Sequence, residues 1–216
     1  HTPALKFVER AAFPFRFSFT LGGGRVFVVS LDAAGPQVDA AQRAWLAREL
    51  ARPEARGAGL RLVPPAGGFL QATEEGERVL TEAVVAALDK KTKRVVDLFS
   101  GSGPFSLAMA CSRDVHAVEG EAAALASLGR AVRAVPGLRR VTTERRDLFR
   151  RPLLALELDA YDAVVFDPPR AGAGAQAARI AESKVPLVIG VACDAGTFAR
   201  DAATLVSGGY TLERVI

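Results

Sequence analysis

Hydrophobic positions alternate along the first part of the chain. In "FPFRFSF", Phe13, Phe15, Phe17 and Phe19 recur at every second residue, the period of a strand with one buried face. Gly22 to Gly24 separate this run from "RVFVVSLD", and the two together predict a β-hairpin. From Gln37 to Leu50 the spacing changes. Val38, Ala41, Trp45 and Leu46 fall on one helical face, and Pro53 and Gly57 end that helix. "VPPAGG" then reads as a junction. Residues 1–66 are expected to be an accessory α+β region.

From about Phe69 a different rhythm begins. A helix is predicted over Glu74 to Leu88, followed by "RVVDLF", a helix "GPFSLAMACS", a strand "VHAVEG" and a helix "EAAALASLGRAVRAV". After "RVTTERRDL" come the strand "YDAVVFD", an alanine-rich helix from Gly174 to Ser183, the strand "PLVIGVAC", the helix "AGTFARDAATLVS" and a strand-like end, "YTLERVI". Short apolar strands alternating with helices of ten or more residues predict a mostly parallel sheet covered on both faces. The expected fold is therefore a doubly wound α/β domain over residues 67–216.

Composition narrows the class. The chain has 216 residues, half of them hydrophobic, and a net charge of +4. No apolar run has the length of a membrane span, and the opening residues do not read as a signal peptide, so a cytoplasmic protein is expected. Two cysteines make no disulfide framework, and two histidines without a Cys-x-x-Cys pair give no metal-ligand spacing. A metal site is not expected. The positive balance points mildly to a polyanionic partner. With His1 at its start and Ile216 directly after a strand-like run, the sequence reads as part of a longer gene product.

Three stretches carry candidate chemistry. In "VVDLFSGSGPFSLAMA", Asp97 lies near the end of a strand, and Gly101 and Gly103 permit a tight turn and close approach by a ligand. Glu119 ends the following strand, where an acidic side chain can accept hydrogen bonds from ribose hydroxyls. An ordinary strand-to-helix turn followed by a surface glutamate is the alternative. The third position of a dinucleotide fingerprint is Ser106, which favours a nucleoside ligand without pyrophosphate, such as S-adenosylmethionine. The second stretch, "FDPPRAG", runs from a strand into Asp167, Pro168, Pro169 and Arg170, and fits either a ligand-facing rim or a proline-rich turn. In the third, "VACDAGTFARD", Cys193 sits between a strand and a helix start, a position suited to a thiolate nucleophile or to packing. Cys111, within a helix, reads as packing.

Taken in order, "FLQAT", "DLFSGSGPFSLA", "AVEG", "FDPPRAG" and "VACDAGTFARDAATLVSGGYTLERV" resemble the S-adenosylmethionine-dependent RNA uracil-C5 methyltransferases, over roughly residues 64–216. The resemblance implies S-adenosylmethionine as cofactor and RNA as substrate, with ribosomal RNA preferred to transfer RNA. It implies that Gln71 lies at the junction of cofactor and target base, and that Phe99, Gly101, Gly103 and Glu119 line the adenosine and ribose. Asp147 would meet the adenine, Asp167 would lie near both methionine and uracil, and Cys193 would be the nucleophile. The arginine pairs Arg139-Arg140, Arg145-Arg146 and Arg150-Arg151 are candidates for the RNA path, or else solvated faces.

Some residues depart from the family pattern. Asp194, Ala195 and Gly196 stand where it usually has Asn, Pro and Ala, and Pro104 replaces a polar residue. The family's proton-abstracting glutamate is expected beyond Ile216. Two rival readings remain. One is a methyltransferase of another base or atom, although Arg170 occupies the aromatic position of the Asp-Pro-Pro-aromatic signature. The other is a non-catalytic RNA-binding module.

Overall fold

The computed structural model describes residues 16–21, 26–31, 44, 48, 60–62, 74–134 and 136–215. Among the described residues two sheets are present. The hairpin forms as the alternation predicts: β1 (Arg16–Leu21) pairs antiparallel with β2 (Val26–Leu31), Arg16 opposite Leu31. A short strand that the pattern does not predict, β3 (Leu60–Leu62), adds in parallel to β2. Of the helix expected over 37–50, only Ala44 and Arg48 are described, and both are helical. The 63–68 junction lies outside the described residues.

The second sheet has five strands: β4 (Arg94–Leu98), β5 (Asp114–Glu119), β6 (Val141–Arg145), β7 (Ala163–Phe166) and β8 (Val188–Gly190). They lie in the order β6-β5-β4-β7-β8, and every pairing is parallel. The helices between them are α1 (Glu74–Ala87), before β4, then α2 (Pro104–Ala110), α3 (Ala122–Ala134), α4 (Ala155–Leu158), α5 (Gly174–Ala181) and α6 (Ala195–Ser207). This is the doubly wound, Rossmann-like arrangement that the alternation predicts. Its centre is apolar for the expected reason. Strands β4 and β7, flanked on both sides, bury Val95, Val96, Leu98, Ala163, Val164, Val165 and Phe166 as near-continuous runs. Helices supply stripes at helical spacing, such as Thr81, Val84 and Leu88 along α1 and its end, and Ala124, Leu128 and Ala131 on α3.

Three differences from the expected elements have physical causes. Strand β8 is three residues long instead of the eight in "PLVIGVAC", because it is an edge strand with β7 alone as partner. Its ladder is extended by one bond, from Val191 N–H to the Phe166 carbonyl at 2.9 Å. Residues 210–215 form no strand. Period-2 alternation there covers only Tyr210 and Leu212, and the segment is anchored instead by the Tyr210 hydroxyl, which donates to the Val185 carbonyl at 2.8 Å. The one-turn helix α4 is an addition to the expected elements. It begins where the Glu157 carboxylate accepts the Leu154 N–H at 2.8 Å.

Candidate active site

The order of the strands fixes where a ligand can sit. Successive strands run outward from β4 to β6 on one side, and from β7 to β8 on the other. The crevice therefore opens at the carboxyl ends of β4 and β7. Phe99 to Gly103 leave β4 there, and Asp167 leaves β7, its N–H bonded to the Leu98 carbonyl at 3.3 Å.

The glycine turn is tightly specified. Gly101 and Gly103 have φ of +55° and +84°, in the left-handed region. A Cβ on Gly103 would lie 2.7 Å from Leu128 Cδ1, so a side chain there would collide with α3. Phe99, at φ +59°, is the one non-glycine residue with positive φ among the described residues. Such a conformation costs about 1–3 kcal/mol and persists where the surroundings impose it. Its ring lies 5.4 Å from that of the exposed Phe149, in a tilted pair.

Glu119 ties the turn to the next loop. Its carboxylate accepts Gly101 N–H at 2.9 Å and Glu121 N–H at 2.8 Å. Asp147 makes a turn of its own, accepting Phe149 N–H at 3.0 Å and Arg150 N–H at 3.3 Å. Beneath the turn, Asp97 is fully buried and accepts the Ser106 hydroxyl at 2.5 Å. Its Oδ1 has no partner among the described residues. Burial raises its carboxyl to about 7, the Ser106 bond opposes the rise, and the Asp167 and Glu119 carboxylates add to it. Burial raises Asp167 to about 6. Three carboxyl groups thus lie near one another at the carboxyl ends of β4, β5 and β7, and burial pushes two of them up towards neutrality.

Cys193 follows β8, next to β7, and is exposed. Asp194 caps α6, its Oδ1 accepting Thr197 N–H at 2.9 Å. That bond holds the Asp194 carboxyl below its usual range. Cys111, at the end of α2, is half-buried and directs Sγ to the Leu107 carbonyl at 3.7 Å. The structure therefore brings Phe99, Gly101, Gly103, Glu119 and Asp167 to one crevice and sets Cys193 on the neighbouring strand exit. Gln71 lies outside the described residues.

One expectation needs correcting, because Arg145-Arg146 is not a free basic pair. Arg146 is largely buried and bonds the Glu144 carboxylate at 2.6 Å and that of Glu157 at 2.7 and 3.0 Å. These acids keep its guanidinium firmly charged. Arg145 Nε donates to the Gly120 carbonyl at 3.1 Å. By contrast, Arg139, Arg140 and Arg151 are exposed and without an ion pair among the described residues. Sequence reasoning also missed Phe149, which meets Phe99 only through the fold, and the Asp97–Ser106 bond. A charge inside the apolar run "RVVDL" was the available signal for Asp97.

No family model matches the chain. Curated proteins do, however. The chain is 57% identical over 153 residues to an uncharacterized RNA methyltransferase of Brucella suis, covering 71% of this chain and 36% of that protein. It is 54% identical over 153 residues to another from Mesorhizobium japonicum, covering 71% and 37%. The chain is a relative of RNA methyltransferases. Within that group it is 37% identical over 150 residues to the 23S rRNA (uracil(1939)-C(5))-methyltransferase of Chromohalobacter salexigens, covering 68% of this chain and 31% of the other. The chain spans about a third of the length of these relatives. A solved structure of the Pyrococcus abyssi tRNA (uracil-54, C5)-methyltransferase in complex with S-adenosyl-L-homocysteine matches with a TM-score of 0.57 at 16% identity, over 83% of this chain and 49% of that one. A precorrin 8w decarboxylase from Methanobacterium thermoautotrophicum matches at 0.53 and 17%, over 69% and 79%. At those identities the likeness of this RNA methyltransferase relative to both structures is one of fold.

Among the described residues no helix is long and apolar enough to cross a membrane, and no group of His, Cys, Asp and Glu is arranged to hold a metal ion.

Proposed function

We propose that residues 67–216 form the catalytic domain of an RNA methyltransferase that transfers a methyl group from S-adenosylmethionine to C5 of a uridine, and that residues 1–66 belong to an accessory region. Cys193 is the nucleophile in this reading. What carries it is the position of Cys193: an exposed thiol at a strand exit beside the crevice, in a chain 37% identical over 150 residues to a uracil-C5 enzyme. That relative is named for 23S rRNA, and ribosomal RNA is accordingly the proposed substrate.

The crevice suits the cofactor chemically. S-adenosylmethionine carries a sulfonium and an ammonium, and the site offers Asp97, Glu119 and Asp167, with one buried Asp97 oxygen unpartnered. When bound, the cofactor supplies an electrophilic methyl group. Glu119 keeps two acceptor sites for ribose hydroxyls after its two backbone bonds. Phe99 and Phe149 offer apolar ring surface for the base, with Asp147 nearby in the same turn as Phe149.

The chain's own residues then act on the uracil. Carbon 5 of uracil is too weak a nucleophile to take a methyl group unaided. Addition of the Cys193 thiolate to carbon 6 breaks the 5,6 double bond and leaves an enolate whose C5 can attack. Once C5 carries the methyl group, a base removes the C5 proton, the double bond re-forms and the thiolate departs. Asp167, ionised above about pH 6, is close enough to neutrality to hold or accept a proton. The target base must leave its stack to reach such a crevice.

RNA with 5-fluorouridine at the target tests the assignment, because fluorine at C5 cannot leave as a proton and elimination stalls. A covalent protein–RNA adduct is expected with the native protein and with Cys111→Ala, and none with Cys193→Ala. An adduct that persists in Cys193→Ala overturns the reading.

A further inference from the structure

Helix α6 is an edge helix whose single fully buried residue is a carboxylate, Asp201. Both of its oxygens are engaged. Oδ2 accepts Ala173 N–H at 2.6 Å, and Oδ1 accepts Arg200 Nε at 3.0 Å and Nη2 at 2.9 Å. Arg200 Nη2 also donates to the Ala171 carbonyl at 3.0 Å. Among the described residues the Ala173–Asp201 and Arg200–Ala171 bonds are the hydrogen bonds between α6 and the segment 167–174. The segment itself is stiff: Pro168 and Pro169 fix their φ angles, and Gly172 N–H closes a turn on the Pro169 carbonyl at 2.8 Å. Gly172, at φ +75°, passes so near α6 that a Cβ would meet Arg200 Nη2, Asp201 Oδ2 at 2.8 Å and Thr197 Cβ at 2.9 Å.

We infer that Arg200 and Asp201 are positioning residues, a latch that holds the loop after β7 in fixed relation to the start of α6, so that Asp167 and Cys193 work as one unit. The inference rests on the roles proposed above for those two residues. Asp167 lies at one end of the latched loop. Cys193 lies about two helical turns before Arg200, beyond the Asp194 cap. At the Cys193 end the local bonds include the Val191 N–H bond to Phe166 and the Asp194 cap. Strand β8 is three residues long, and residues 192–196 are exposed. A buried carboxylate that accepts one backbone N–H of a neighbouring loop, and holds a guanidinium that donates to a carbonyl of the same loop, fixes direction and spacing in a way an apolar contact does not.

The test uses the full-length protein with Asp201→Asn, Arg200→Ala and Arg200→Lys. Amide exchange is expected to rise by about fivefold in both 168–174 and 191–198 in the first two variants. Adduct formation with 5-fluorouridine RNA should slow by about tenfold or more, since misplacement near an angstrom has effects of that order. Affinity for S-adenosyl-L-homocysteine should stay within about threefold, and Arg200→Lys should recover part of the adduct rate. Exchange that rises in 168–174 alone, with the adduct rate unchanged, overturns the latch and leaves a local loop bond. If native protein forms no adduct, the nucleophile assignment fails, while exchange in the two segments still decides whether they are coupled. Should Asp201→Asn fail to fold, Arg200→Ala carries the test, because its side chain is half-exposed.

Discussion

Glu119 has a structural role in the fold and, in the proposed function, a ligand role as well. By accepting Gly101 and Glu121 N–H groups it shapes the turn, and its carboxylate keeps further acceptor capacity. Glu119→Ala is expected to weaken S-adenosylmethionine binding by about 1.5–3 kcal/mol, the range for hydrogen bonds to a charged group. Isothermal calorimetry reads this directly, and unchanged affinity removes Glu119 from the site. Asp97 gives a prediction of the opposite kind, about stability and pH. Its carboxyl is about 7 in the folded chain against 3.8 when unfolded, so between those values the folded state holds a proton that the unfolded state has released. Its contribution is fully present below about pH 4 and disappears as pH rises through 7, at no more than about 1.4 kcal/mol per pH unit. Asp97→Asn should flatten that slope in urea titrations run from pH 5 to 8, and an unchanged slope refutes it. The positions of Gly101, Gly103, Glu119, Asp167 and Cys193 at or just after strand ends were legible in the sequence, because short apolar runs mark where each strand stops. The Phe99–Phe149 contact, the Asp97–Ser106 bond and the bonds of Arg200 and Asp201 to residues 171 and 173 were not, because no local pattern encodes which side chains the fold brings together.

At the scale of elements, the period of hydrophobicity located the central strands and most helices well, and failed at the edge. The buried runs of β4 and β7 and the full extent of α6, Ala195–Ser207, match the sequence expectation because burial on both faces, or a capping Asp194, marks them plainly. Strand β8 came out short and 210–215 formed no strand, since an apolar stretch becomes a strand only as far as a neighbour extends its ladder. The turn between β4 and α2 is the element where substitution is most informative. Gly103→Ala would place a methyl against buried Leu128 and force a left-handed φ, which costs about 1–2 kcal/mol from the backbone alone. At Gly137, also at positive φ, nothing lies within 4 Å. Thermal denaturation should therefore show a larger loss for Gly103→Ala than for Gly137→Ala, and only the former should impair cofactor binding. Equal losses without a binding defect contradict the proposed role of the turn.

At the scale of the molecule, two contrasting kinds of arginine stand out among the described residues. Arg146, tied to Glu144 and Glu157, holds β6 against α4. Arg139 and Arg140 are exposed and without an ion pair among the described residues, and so are available to phosphates. Replacing Arg139 and Arg140 by alanine should lower RNA affinity and reduce the magnitude of the salt slope by about one for each phosphate that is no longer neutralised. Arg146→Ala should instead lower the melting temperature and leave the salt slope unchanged, and filter binding over a series of salt concentrations separates the two cases. The parallel sheet has a further consequence, in time instead of space. Val95 pairs with Val115 and with Ala163, so no neighbouring strands of this sheet can close as a hairpin, and each pairing must wait for an intervening helix to dock. Such long closures are entropically slow. The crevice lies between the strands whose meeting spans the greater of these separations, β4 and β7. During synthesis a chain will thus carry its glycine turn well before it owns the wall opposite, so the proposed nucleoside site is completed only once β7 has joined β4.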